Sequence, residues 1–251
     1  MINLFKAKEN KKTVQPSRST GLLSDINRFV LNNPEIPTLI KFKTLAERHD
    51  YSQRIMQRLG IEVNTYGILN MHKIGVDAPT KCIYEELLKW NGDSSCWPNH
   101  IANVERVDNF LENIKIFLFG IKKYPFGFKK SFFGLKFVPL FNLTAIRFQD
   151  TPDPMAGDNA RYLLYKCSGG YPVGVFSMYV RSSINELKEE EQSQLFLMVG
   201  FNFYGSKNLS KINIINKIWE GIHNRVTANT MNRLKQFCEW HFEKMKQEME
   251  Q

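Results

Sequence analysis

The stretch from Ser210 to about Glu248 constrains this chain more than any other. It contains no proline and one glycine, Gly221. Ile212, Ile215, Trp219, Ile222, Val226, Thr230, Leu234, Phe237, His241 and Met245 recur at steps of three and four, which places them on one face of an α-helix. Lys, Arg, Glu and Asn fill the other faces. Such a helix is stable only against a broad apolar partner, which the preceding chain must supply. Run without a break it is ~58 Å long, at about 1.5 Å per residue. Gly221 either relieves crowding where the partner approaches or permits a bend.

The partner is readable as a sheet. Asn70, His72, Ile74 and Val76 alternate with Leu69, Met71, Lys73 and Gly75, so a long strand opens near Tyr66, with one face partly polar. After Asp77-Ala78-Pro79, the spacing of Ile83, Tyr84, Leu87 and Leu88 predicts a helix over Thr80 to Trp90, and Trp97 to Ile101 gives a short turn or second helix. From there the period is two. Val104–Val107, Asn113–Phe119, Leu135–Phe148, Arg161–Cys167, Val173–Arg181 and Gln194–Phe203 are six further strands, separated by turn chemistry such as Asp108-Asn109 and Ser168-Gly169-Gly170. Short turns make neighbours antiparallel. Ahead of the sheet, apolar spacing predicts helices over Leu22–Leu31 and Thr38–Leu59, parted by Pro34 and Pro37, with Leu45, Ile55, Met56 and Leu59 on the buried side.

The order of one strand, one or two short helices, six strands and a long helix resembles the START-like helix-grip superfamily, also called SRPBCC. The carrying residues are IGVDAPTKCIYEELLKW (74 to 90), WPNHIANVERVD (97 to 108) and LFLMVGFNFYG (195 to 205), which leads into IWEGIHNRVTANTMNRLKQFCE (218 to 239). The resemblance covers about Tyr66 to Met245. It implies an α+β fold in which a curved antiparallel sheet of about seven strands grips the C-terminal helix, with two short helices after the first strand. The expected division is a basic, partly helical N-terminal extension (1–60) and a helix-grip domain (61–251).

The resemblance also implies a ligand class. Members bind lipids, sterols or polyketides between sheet and helix, because a strongly curved sheet leaves an apolar gap beside the helix. A closed cavity of several hundred cubic ångströms, on the order of a typical ligand pocket, is therefore expected. Strand parity makes Asn70, His72, Arg147, Tyr165 and Tyr179 the inward polar candidates, joined by Trp219 and His223 from the helix. Each would orient the polar end of a ligand; each is also readable as a satisfied polar group in an ordinary core. The expected function is non-enzymatic binding or transfer of a lipid-like molecule. The alternatives are a cyclase- or dehydratase-like enzyme with His72 or His223 as base, and a module that binds a membrane or polyanion.

No cofactor is expected. Glu220 and His223 form one E-x-x-H pair where a di-metal bundle needs two. Cys238 and His241 lie one turn apart but fall short of four zinc ligands. There is no nucleophile elbow, Walker loop or dinucleotide fingerprint. Cys82, Cys96, Cys167 and Cys238 are scattered, as in reduced core positions. With no apolar run behind the basic N-terminus, a secretory leader is not expected, and the anticipated location is cytoplasmic.

Charge is uneven. Residues 1–60 carry eleven Lys and Arg against five acids, a net of +6 out of +9 for the chain. Lys122 to Phe137 interleaves five Lys with six aromatics and no acid. As an exposed loop it would put Lys122, Lys123, Phe126, Phe128, Lys129 and Lys130 against an anionic membrane surface, and nucleic acid is the less expected partner. The plainer reading is a hairpin with inward Phe and solvated Lys.

Overall fold

The structure is a computed structural model and describes residues 15–17, 21–58, 68–88, 97–98, 100, 102–106, 113–118, 141–149, 160–168, 173–183, 192–201 and 213–251. In several strands, and at Trp219, that description covers the backbone alone. Twelve elements follow in order. They are α1 (Leu22–Asp25), continued by a π-helical turn at Ile26–Leu31, α2 (Leu45–Arg58), β1 (Ile68–Val76), α3 (Thr80–Leu88), β2 (Ala102–Arg106), β3 (Asn113–Leu118), β4 (Phe141–Gln149), β5 (Ala160–Ser168), β6 (Val173–Ser183), β7 (Gln192–Phe201) and α4 (Asn213–Met249). The seven strands make one sheet in the order β1-β7-β6-β5-β4-β3-β2, and each adjacent pair is antiparallel.

This order follows from the turns. Each of β2 to β7 pairs with its neighbour in sequence, which the shorter connections favour, and β3 and β4 pair across the longer stretch 119–140. Only β1 reaches across to the other end of the chain, pairing with β7 from Ile68↔Phe201 to Val76↔Ser193. The connection that lets it do so passes through α3. Where a short turn or second helix is expected, the described residues show a bend at Trp97 and a turn at His100.

The long helix is a single element over 37 residues. Gly221 sits in it with open space where a Cβ would project, so it relieves no crowding. A glycine there costs backbone entropy with no packing gain. Gly221→Ala should therefore raise stability by about 0.5–1 kcal/mol in thermal or urea melts. A loss would mean that the glycine serves a bend or an approaching partner.

The β1 and β7 rows sort the two faces of the sheet. Cα partners across the ladder share a face, so His72, Leu197, Met178 and Leu163 form one row, and Met71, Met198, Ser177 and Leu164 the next, on the opposite side. His72 Nε2 lies 3.2 Å from Asn224 Oδ1, which identifies its row as the side facing α4. The far side is buried too, with Met71, Met198 and Ser177 out of solvent. Part of its cover is α2, whose buried Ser52 hydroxyl donates to Met71 Sδ at 3.0 Å.

The N-terminal segment thus does more than sit beside the sheet. Its first part lies along the outer side of α4. Asn229 Nδ2 donates to the carbonyls of Phe29 and Asn32, each at 3.0 Å, and Asn232 exchanges two hydrogen bonds with the backbone of Ile36 at 2.8 and 2.9 Å. It then crosses the free edge of β1. Lys73 N–H donates to Thr38 O at 2.8 Å and Ile40 N–H to Met71 O at 2.9 Å, around a bridge between Leu39 and His72. An edge strand with unpaired backbone groups gains a partner in this way. From there the chain turns into α2 on the far face.

Two expectations for this segment need correction. The second helix begins at Leu45, not Thr38, because residues 38–40 are committed to the edge of β1. Its start is capped by Thr44: Glu47 N–H donates to Thr44 Oγ1 at 3.0 Å, while Glu47 Oε2 accepts from Lys43 N–H at 2.9 Å. This is close to the reciprocal arrangement of a capping box. Leu45, expected on the buried side, is 76 % exposed, as the first residue past the cap. The side chains of Ile55 and Met56, and the whole of Leu59, lie outside the described residues.

Candidate functional site in the gap between sheet and helix

β1 and α4 hold the centre of the site. His72 is fully buried between them. Thr38 Oγ1 lies 2.8 Å from its Nδ1 and Asn224 Oδ1 lies 3.2 Å from its Nε2. The carbonyl oxygen of Asn224 can only accept, so Nε2 carries the proton and Nδ1 accepts from the Thr38 hydroxyl. That is a neutral imidazole with both nitrogens engaged. Burial pushes its pKa down to about 4; the bond to Asn224 works against this and the neighbouring His223 adds to it. The His223 imidazole is likewise pushed down to about 4 by burial. The structure therefore brings His72 and His223 together, both uncharged at neutral pH.

Asn70 lies two residues from His72 on the same side of β1, and is 5 % exposed. Its Nδ2 is buried and has no hydrogen-bond partner among the described residues. Thr230 Oγ1, on α4, is in the same condition. Around Thr230 the surface is apolar. Met178, Leu195, Leu197, Thr230, Met231 and Leu234 line a cavity of about 20 Å³. That volume is room for about one water, since a cavity needs roughly 10–15 Å³ to hold one. The expected cavity of several hundred cubic ångströms would also be walled by side chains of β2 to β5, which lie outside the described residues.

The remaining candidates divide. Tyr179 is not in the gap. It pairs with Phe196 and Tyr162, in the row of Lys73, and so lies on the far face. There its ring meets Phe196 at 5.8 Å, with Lys73 and Arg181 at 5.7 and 5.3 Å from the Phe196 centroid. Parity along β6 alone could not tell the faces apart, because both are covered. Arg147 also departs from expectation. It pairs with Leu164, in the register row of Met71 and not of His72. The ladder slips between Ala145 and Arg147, and a bulge of one residue reverses the alternation beyond it. Tyr165 holds the row of Asn70, through Phe176 and Val199. For Arg147, Tyr165 and Trp219 only the backbone is described. Lys122, Lys123, Phe126, Phe128, Lys129 and Lys130 lie outside the described residues.

Thr38 and Asn224 were not among the candidates, yet they orient the central histidine. No group of three or more His, Cys, Asp or Glu gathers among the described residues to hold a metal. None of their helices is long and apolar enough to cross a membrane.

An antiparallel sheet opened by one strand and α3, closed by a long helix, and ordered β1-β7-β6-β5-β4-β3-β2 is the helix-grip arrangement that the sequence resembles. No protein-family model matches the chain, and neither does any curated protein. Solved structures do. An aromatase/cyclase, Zhui, from Streptomyces sp. R1128 shares 17% identity over 68% of this chain and 93% of its own, with a TM-score of 0.43. A conserved protein from Geobacillus kaustophilus shares 10% identity over 68% of this chain and 95% of its own, with a TM-score of 0.38. The protein XoxI from Bacillus cereus shares 11% over 66% and 95%, with a TM-score of 0.36. Likenesses of this strength carry no inference about activity.

Proposed function

We propose that the chain binds a hydrophobic, lipid-like small molecule between the sheet and α4, as a carrier and not as a catalyst. The observation that carries this reading is Asn70. A buried amide group without a partner costs about 1–3 kcal/mol, and buried polar groups are nearly always paired. Asn70 lies two residues from the neutral His72, on a side of the sheet where Ile74, Val76, Met178, Leu195, Leu197 and Val199 are buried. A few polar groups on an apolar wall are what a site for an amphipathic ligand requires. The small cavity at the Met231 end implies that such a ligand occupies another part of the gap, or moves α4 as it enters.

An enzymatic role with His72 as general base is the weaker reading. Both of its ring nitrogens are already engaged, and an imidazole with a pKa near 4 is a poor base at neutral pH.

Native mass spectrometry of the purified protein tests the proposal. It should release a bound apolar molecule on collisional activation. Asn70→Leu should lose that adduct and, with the unpaired amide gone, gain about 1–3 kcal/mol of stability in urea melts. A bare wild-type mass, together with an Asn70→Leu variant no more stable than wild type, would remove the basis for the reading.

A further inference from the structure

The side of the sheet away from α4 has a polar feature of its own. Register puts Lys73, Phe196 and Tyr179 in one row on that side, and Gly75, Gln194 and Arg181 in the next. Nothing lies within 4 Å of where a Cβ would project from Gly75, and the residue is exposed, so the sheet is notched at this point. Lys73 stands one row back on the same strand. Arg181 is two strands across, about 10 Å at the usual strand spacing. A glycine inside a strand often marks a place where a ligand comes close to the backbone.

Two cations crowd one ring beside this notch. Lys73 Nζ lies 5.7 Å and Arg181 Cζ 5.3 Å from the centre of the buried Phe196 ring. A cation over an aromatic face gains about 0.5–1 kcal/mol at an exposed site, which accounts for either one. A second cation at the same ring adds repulsion, which an anion seated between the two relieves. Arg181 donates one N–H to Gln194 Oε1 at 3.1 Å, and a guanidinium has further N–H groups to give. On the α2 side, burial raises the Tyr51 pKa while the charges of Arg181 and Arg54 pull it back, so both cations stand near its hydroxyl. The acids at the ends of these elements are drawn elsewhere: Asp77 Oδ1 accepts from Gln192 Nε2 at 2.8 Å, and Asp50 Oδ1 lies 4.0 Å from His49 Nδ1.

We propose that this notch is a binding site for a phosphate group, held by Lys73 and Arg181 over Gly75, with Tyr51 and Arg54 at its α2 side. The site is separate from the gap between sheet and α4 and does not rest on the reading above. A phosphate monoester carries about −1.5 to −2 charge at neutral pH and three strong acceptor oxygens, enough to meet a guanidinium and an ammonium together. Arg181 supplies a planar fork and Lys73 a point charge, the two kinds of donor that phosphate sites use. Gly75 supplies the room, because no side chain there holds the phosphate off the sheet. Since the notch opens to solvent, the rest of the molecule would lie outside the protein. A soluble phosphate and a phospholipid head group present this same chemistry.

Isothermal titration of the intact protein with inorganic phosphate, in a low-salt buffer at neutral pH, tests the site. Binding should saturate at one equivalent, and Arg181→Gln should weaken it about tenfold or more, the scale of a lost charge-assisted pair. Gly75→Val is the sharper variant, because it keeps every charge and fills the notch. Open space, a backbone outside the left-handed region and a β-branched side chain suited to strands let it fold. It should weaken binding as much as Arg181→Gln does. Lys217→Gln removes an equal charge from an exposed position on α4 and should leave binding unchanged. A titration that never saturates, or equal losses in Lys217→Gln and Arg181→Gln, would overturn the site in favour of diffuse basic charge. Undiminished binding by Gly75→Val would overturn the notch as the seat. Flotation with phosphatidylcholine vesicles, plain or containing phosphatidic acid, separates the two sources. Flotation with the acidic vesicles alone, lost in Gly75→Val, assigns a lipid head group; saturable phosphate binding without flotation assigns a soluble phosphate.

Discussion

Lowering the pH from 7 to 4 is expected to strip on the order of 3 kcal/mol from the stability of this protein through His72 alone. The sign follows from its surroundings. An imidazole in the unfolded chain takes up its proton near pH 6.5, while the buried ring does so only near 4. Between those values the unfolded state binds more protons than the folded state, so acid favours unfolding. The loss begins as pH falls below about 6.5 and levels off below about 4. Each pH unit of difference is worth about 1.4 kcal/mol, which sets the scale. His223 contributes in the same direction. Because each charged ring would repel the other, the two titrate as a pair.

Urea unfolding at pH 7.0 and 4.5 measures the effect, and His72→Gln isolates it. Glutamine keeps a neutral hydrogen-bonding group between Thr38 and Asn224 but cannot be protonated. The variant will be weaker than wild type at pH 7.0, yet its loss between the two pH values should be smaller by about 2–3 kcal/mol. Carboxylates elsewhere also titrate in this range, which is why the difference between the two proteins matters and not the slope of either. Equal losses in both would mean that His72 is not held neutral.

Much of this architecture was legible in the residues themselves. Period-two alternation and turn chemistry located all seven strands, most boundaries falling within two or three residues of the observed ones. The stretch from Ser210 read as an amphipathic helix with a bend at Gly221 left open, and α4 runs as one helix from Asn213 to Met249. The faces were harder to read. Parity names two rows on a strand but does not say which is covered, and here α2 buries the far row as α4 buries the near one. Tyr179 was therefore misplaced. Arg147 was misplaced for a second reason, since a bulge leaves no mark in the composition of β4.

Two signals were present but unused. Thr44-x-x-Glu47 is the spacing of a capping box, and it marks where the second helix starts. Asn224, Asn229 and Asn232 are poor helix formers in the middle of a long helix. Three of them there mean that their amides serve something outside it. They bind His72 and the carbonyls of Phe29, Asn32 and Ile36. Which partners they would take could not be read locally, because those contacts span 152 to 200 residues of sequence.

The same long-range contacts make Phe29 the residue whose loss should cost most. It is fully buried in the π-helical turn, and its carbonyl is held by Asn229. Among the described residues, hydrogen bonds to Arg225, Asn229, Asn232 and Gln236 also tie residues 29–36 to α4. Net hydrogen-bond contributions of about 0.5–1.5 kcal/mol each cannot hold the segment alone, given the entropy of ordering it. The apolar anchor has to supply the rest. Phe29→Ala should cost about 3–5 kcal/mol, the range for emptying a buried aromatic site. The loss should also have a location. Amide exchange should quicken from Leu22 through Ile40, and at Lys73, whose N–H depends on Thr38 O. The β6–β7 ladder, anchored independently of Phe29, should stay protected. A cost below about 1 kcal/mol, or exchange that rises uniformly across the sheet, would show that the segment is not pinned to α4 at this point. The localised result would mean that the N-terminal segment folds onto a sheet and helix that can stand without it, and that the Thr38 bond to His72 is a contact the site can lose and regain.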